Sequence, residues 1–257
     1  FCGGAHIHVK IGGRLHADLD SNGWPQAGRN RAISALRKAY AFHFAGDQHL
    51  ATIFHHGIEE HRDSIYSFCV PSIANLYLRW WKPLEPGKNL APGQDPILGD
   101  HLDGFHNKVT ALAVANPSPE RGGDKLTTRA AGFGVVNINK ETRNITFTCW
   151  PRNIDITDEK AKPYKGWPFT FNQLDNYGRK AVAHLPTLKI NKPNQVVQLI
   201  NERNNETVYT IRVKGSSFKP KVFENGTYTI KVGEKKNQNT LKSIGTDSKK
   251  EYIIIKI

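Results

Sequence analysis

Two short stretches carry the residue types that could do chemistry. The first is Asp18-Leu-Asp20-Ser-Asn-Gly-Trp-Pro-Gln-Ala-Gly-Arg29-Asn-Arg31, and the second, Gly46-Asp47-Gln-His49, follows a brief apolar run. Asp47 and His49 set a carboxylate and an imidazole two residues apart, a combination suited to a metal ion or to proton transfer. Asp18 and Asp20 precede a turn, where carboxylates either ligate a hard divalent cation or take local backbone hydrogen bonds. Arg29 and Arg31 could clamp phosphate through the guanidinium fork or pair with carboxylates. Two residues apart on a helix, they face different directions, so at most one reaches a common ligand.

The elements that must hold these groups are short. Pro25 suits a first-turn position, and Ala32, Ile33, Ala35, Leu36 and Ala39 recur at helical spacing, which predicts a helix ending near Lys38. Ala41-Phe-His-Phe-Ala45, stopped by Gly46, reads as a buried strand. Asp47 and His49 then stand at the carboxyl end of a strand in a helix-then-strand unit, where open α/β sheets hold their ligands. Upstream, Ala5 to Ile11 alternates like a strand and puts His6 and His8 on one face, either as metal or phosphate contacts or as strand histidines beside the site.

The order Asp-x-Asp-x-Asn-Gly-Trp-Pro-x-x-x-Arg-x-Arg, helix, apolar strand, Gly-Asp-x-His resembles the carboxyl-terminal half of PhoD-like metallophosphatases, the alkaline phosphatase D branch of the calcineurin-like metallophosphoesterases. Trp24 stands where that family has Tyr. The resemblance continues through Phe68 to Asn75, Leu102 to Asn107 and Phe147 to Arg152, covering roughly residues 1–180. It implies a phosphoric ester hydrolase with catalytic His49 and Asp47, in which His49 ligates a metal and Asp47 either ligates one or orients a ligand, with Asp20 and Asp18 as further ligand candidates. Arg29, His6, His8, Asp103 and His106 are then candidates on the substrate side. It also implies two metal ions, of iron, calcium, manganese or zinc, and an extracellular or periplasmic setting. The family's other metal boxes, Asp-x-His, Gly-Asp-x-x-Asp and Gly-Asn-His, lie amino-terminal to this stretch, none of them occurs upstream of Gly46, and the chain has no Met. A fragment lacking its amino-terminal half, and with it any signal segment, is therefore expected.

Composition narrows the alternatives. The chain of 257 residues is long enough for one sizeable core or two smaller ones, and no apolar run approaches the ~20 residues of a membrane span. Cys2, Cys69 and Cys149 match no zinc or redox spacing, so buried or incidental thiols are expected. Asn-x-Thr triplets begin at Asn144, Asn205 and Asn225 and matter only in a eukaryotic secretory setting. The net charge of +13 is spread along the sequence without a nucleic-acid motif, so a solvated basic surface is expected and nucleic acid is not.

Along the rest of the chain, Leu50 to Phe54 and Ile65 to Val70 read as two strands of a meander at the sheet edge. The connection between them, rich in His55, His56 and His61, is expected to be exposed. Trp80 and Trp81 read as core or wall, and Pro83 to Pro96 as a loop. Gly99 to His106 is either a turn feeding the strand Lys108 to Ala115 or a substrate-side loop. Ala130 to Ile138 and Asn144 to Trp150 read as a hairpin.

The expected fold class is α/β. Residues 1–150 would form an incomplete metallophosphoesterase β-sandwich core with flanking helices, 151–187 an extended connector and 188–257 a small all-β sandwich that contacts the enzyme, a glycan or a cell surface. The rival functions are a catalytically inactive surface- or glycan-binding protein and a basic nucleic-acid binder.

Overall fold

The computed structural model describes residues 8–11, 14–17, 23–46, 49–74, 79–117 and 129–257. The chain divides into two compact units, residues 1–36 with 41–178 and residues 37–40 with 179–257. Strand is the main regular structure of the described residues, which include a single α-helix, so among them the flanking helices of the expected α/β class reduce to one.

In the first unit, β1 (His8–Ile11) and β2 (Arg14–Ala17) form an antiparallel hairpin. Helix α1 (Gln26–Lys38) follows the cis Trp24–Pro25 bond, and Arg29 N donates to Pro25 O at 3.1 Å to open it. Its buried positions are Arg29, Ile33 and Arg37, four residues apart, while Ala35 and Ala39 face solvent. The buried stripe is thus narrower and more polar than the alanine spacing predicts.

Next come β3 (His43–Ala45), β4 (Ala51–His56), β5 (Tyr66–Cys69), β6 (Gly99–Leu102) and β7 (Lys108–Ala115), in a sheet of order β3-β5-β4-β7-β6. Only β3 and β5 run parallel. The expected edge meander is corrected here: β4 lies between β5 and β7, and all six of its residues are buried. The outer strand is β3, where Phe44 is 64% exposed, so this strand is not the buried one expected.

Both faces of the five-stranded sheet are covered, which explains why β4 is buried without alternation. On one face lies the sheet of β8 (Gly132–Ile138), β9 (Asn144–Pro151) and β10 (Phe169–Asn172), in the order β10-β9-β8. Phe68 stacks on Phe147 with ring centroids 5.0 Å apart, among Ile53, Ala113, Ile145, Trp167 and Phe171. Each aromatic buried this way contributes about 2 kcal/mol. On the other face Leu50, Phe54, Val109 and Ala111 pack with Trp81, whose Nε1 donates to Ile97 O at 2.6 Å. Residues 151–187 are not a bare connector: β10, the 3-10 turn Gln173–Tyr177 and the buried Trp167 and Tyr177 belong to this packing.

The second unit contains β11 (Ala183–His184), β12 (Thr187–Ile190), β13 (Val196–Asn201), β14 (Glu206–Arg212), β15 (Ser217–Phe218), β16 (Lys221–Val222), β17 (Thr227–Val232), β18 (Asn239–Gly245) and β19 (Tyr252–Ile255). These form a four-stranded sheet β14-β13-β17-β18, a three-stranded sheet β15-β12-β19 and the pair β11-β16. Alternate residues turn inward, among them Val197, Leu199, Tyr209, Ile211, Tyr228, Ile230 and Val232, joined in the buried set by Leu188, Val222 and Ile255. Tyr209 and Tyr228 satisfy their buried hydroxyls on Lys221 O and Glu224 O.

Candidate functional site

Strand register separates the expected site residues into two groups. Ala51 pairs with Ala115 and Thr52 with Cys69, so the start of β4, the carboxyl ends of β3 and β5 and the end of β7 share one end of the sheet. His49 is at this end, partly buried, in left-handed backbone with φ 54°, one residue before the fully buried Leu50. At the opposite end His56 pairs with Val109 and Leu102 with Lys108, so Gly57 and the turn 103–107 sit together there. The five steps of β4 put ~17 Å between the two ends. Arg29, Asp103 and His106 belong to the far end, away from His49.

At that far end Arg29 is a packing clamp. It is 4% exposed, and its guanidinium donates to Gly57 O at 2.5 Å, His56 Nδ1 at 2.9 Å and Lys108 O at 3.3 Å. Burial lowers its pKa to about 10, opposed by the charge of Asp63. Arginine has only donors, so His56 Nδ1 must present its lone pair. The proton then sits on Nε2, which donates to Ser67 Oγ at 2.8 Å. The Ser67–His56 distance is that of a nucleophile and base. Both side chains are buried, however, and the third group is a cation rather than an orienting carboxylate. It joins two strands and a helix.

Carboxylates at this end also build loops. Asp63 accepts from the backbone N–H of Ile58, Glu59 and Glu60, closing the β4–β5 connection. Burial raises its pKa, and the hydrogen bond to the Glu59 side chain raises it further. That connection is less exposed than expected, since His55, His56, Asp63 and Ser64 are all buried. His55 stacks on Tyr66 at 4.1 Å and donates from Nε2 to Ser64 O; burial lowers its pKa to about 4. His61 donates to His101 O.

Asp103 accepts from Phe105 N and Asn107 N through Oδ1, both at 2.8 Å, and from Asn107 Nδ2 through Oδ2 at 2.9 Å. Asn107 Nδ2 also donates to Gly23 O, and Gln26 Nε2 to His106 O, so the structure ties the turn 103–107 to the segment that opens α1. Asp103 is 4% exposed and spent on its own turn, whereas His106 is exposed, with φ 62°. Beside this turn, Asp100 accepts from Asn89 Nδ2, Thr110 Oγ1 and Arg62 Nε. Burial pushes its pKa up, but those three hydrogen bonds and the Arg62 charge outweigh it, leaving the carboxyl below its ordinary range. Sequence spacing gave no sign of this network, because its members come from four separate segments.

His6, Asp18, Asp20 and Asp47 lie outside the described residues, and of His8 only its backbone in β1 is described. Among the described residues no group of three or more His, Cys, Asp or Glu side chains stands close enough to hold a metal ion. His49 is the one described member of the expected ligand set, and a single imidazole does not hold a divalent ion. The described residues alone therefore do not make a metal centre. No family model, no curated protein and no solved structure matches the chain.

Proposed function

We propose that the chain belongs to a metal-dependent phosphoric ester hydrolase of the PhoD-like, calcineurin-related kind, working outside the cytoplasm. The observation that carries the reading is the setting of His49. The Gly46-Asp47-Gln48-His49 box follows β3 directly, at the end of the sheet where the parallel strands β3 and β5 both terminate. Carboxyl ends of parallel strands are where such sheets hold ligands, and the left-handed backbone at His49 is an uncommon conformation that clusters at functional positions.

In this reading His49 and Asp47, with Asp18 and Asp20, would hold two metal ions. Bound metal supplies Lewis acidity and a water that ionises near neutral pH. The chain's own part is to offer the carboxylates and one imidazole nitrogen, that of His49, which follows a sheet buried on both faces. No side-chain nucleophile is required, which agrees with the sealed position of Ser67. Arg29 and Asp103 act as scaffold, and His106 remains an exposed group at the other end of the sheet.

The test is metal content, by mass spectrometry after dialysis against iron, calcium, manganese and zinc, together with hydrolysis of p-nitrophenyl phosphate and its diester. The expected result is metal bound by the unaltered chain and reduced at least tenfold in His49→Ala, with any hydrolysis falling in parallel. Equal metal retention in both proteins, or none in either, overturns the reading and leaves a catalytically inactive binding protein as its successor.

A further inference from the structure

The second unit holds an uneven share of the charge. Residues 179–257 carry sixteen Lys and Arg against six Asp and Glu, a net of +10 out of the whole chain's +13. Strand register shows where part of that charge meets apolar surface. Thr187 pairs with Tyr252, Lys189 with Ile254 and Lys189 with Ser217, so these side chains share the outer face of the sheet β15-β12-β19. Lys256 continues the same alternation along β19.

Tyr252 and Ile254 are 45% and 63% exposed, and the Lys189 ammonium lies 3.8 Å from the centroid of the Tyr252 ring. An open groove of about 520 Å³ runs over this face, lined by Lys189, Ser217, Ile254 and Lys256. No carboxylate lines it among the described residues.

We propose that this groove binds an acidic polysaccharide, a chain of sugars bearing carboxylate or sulfate groups. The two ammonium groups match the repeating anions, and the excess charge of the unit draws such a polymer in. Ser217 offers the hydroxyl, and Tyr252 with Ile254 the apolar surface, that sugar rings require. No aromatic lines the groove itself, and Tyr252, beside it on the same face, is too few for successive base stacking. Two exposed apolar side chains give little area for insertion into lipid, so a membrane surface fits less well than a hydrated glycan.

The experiment measures binding of the full chain to polygalacturonate by calorimetry, with neutral dextran, phosphatidylglycerol vesicles and a single-stranded oligonucleotide as comparisons. The expected result is saturable binding to polygalacturonate and none to dextran. Affinity should fall about tenfold in the double variant Lys189→Gln, Lys256→Gln and several-fold in Tyr252→Ala. The double variant Lys235→Gln, Lys236→Gln removes the same charge elsewhere on the unit and should retain affinity within about twofold. Equal losses in the two double variants, or tighter binding to vesicles or oligonucleotide than to polygalacturonate, overturn the proposal. The outcome is independent of whether His49 holds metal.

Discussion

Arg29 and His56, twenty-seven residues apart in sequence, are joined by a 2.9 Å hydrogen bond in which the guanidinium donates to Nδ1. The same guanidinium satisfies the carbonyls of Gly57 and Lys108. Arg29→Ala would take a donor from the buried Gly57 O and His56 Nδ1, at about 1 to 3 kcal/mol each less any water that enters, while Lys108 O keeps the Gly57 N–H at 2.9 Å. The expected loss of stability is about 3 kcal/mol, read as a lower urea midpoint. An unchanged midpoint with weakened phosphate binding would return Arg29 to the substrate side.

Stability should also depend on pH through buried imidazoles. His55 is held at about 4 in the folded chain against an ordinary 6.5. As pH falls, the unfolded chain takes up this proton first, so the contribution is complete above pH ~6.5 and drains away between there and pH ~4. The shift sets a ceiling of about 3 kcal/mol. His101, also lowered by burial, acts with the same sign. Urea unfolding at pH 7.5 and 4.5 measures the slope. In His55→Gln, which keeps a donor for Ser64 O but does not titrate, the slope should shrink.

How much of this was legible depends on whether the deciding interactions are local. Helix α1 was readable from Pro25 and apolar spacing, but a pattern of apolar residues cannot announce that Arg29 and Arg37 are buried in it. Strand β4 was found, yet its central position rests on pairing with β7, whose residues arrive more than fifty positions later. Strand β18 leaves little mark in the sequence, because Asn239 to Gly245 is largely polar and lies at a sheet edge, where burial imposes no alternation. The Gly46 to His49 box could be read directly. Its distance from Asp103 and His106 could not, since only strand register separates the two ends of the sheet.

Asp103 was open to two sequence readings, turn former or substrate contact, and its bonds are those of a turn. Asp103→Ala removes acceptors from Phe105 N, Asn107 N and Asn107 Nδ2, and loosens the residue that holds Gly23 O. The expected cost is on the order of 3 kcal/mol. Asp103→Asn keeps one oxygen for the backbone bonds and should lose less. Hydrogen exchange at Phe105 and Asn107 should accelerate in the alanine variant before any other part of the sheet.

Cys69 and Cys149 are buried thiols in no disulfide, and burial pushes the Cys149 thiol far above the ordinary range, with Cys69 adding to the shift. Only thiolate reacts with alkylating reagents. Both cysteines should therefore stay unmodified by iodoacetamide in the native chain at pH 8 and become modified in urea, as peptide mass spectrometry would show. Rapid native labelling at Cys149 would contradict the packing between β9 and β5.

Gly178 and Gly215 have nearly equal backbone angles, φ 73° and 74°, but different surroundings. A Cβ at Gly178 would come within 2.4 Å of Arg62 O and Ser64 N, both backbone atoms that cannot swing aside, whereas at Gly215 nothing lies within 4 Å. Alanine at Gly215 pays only for left-handed backbone, about 1 kcal/mol. Alanine at Gly178 pays that and must also displace the loop that Asp63 closes, so a loss above about 3 kcal/mol is expected. The pair of variants separates conformational cost from crowding in one urea titration. If both lost the same stability, the 3-10 turn Gln173–Tyr177 would not be docked on residues 62–64, and the role of residues 151–178 in the first unit's packing would have to be withdrawn.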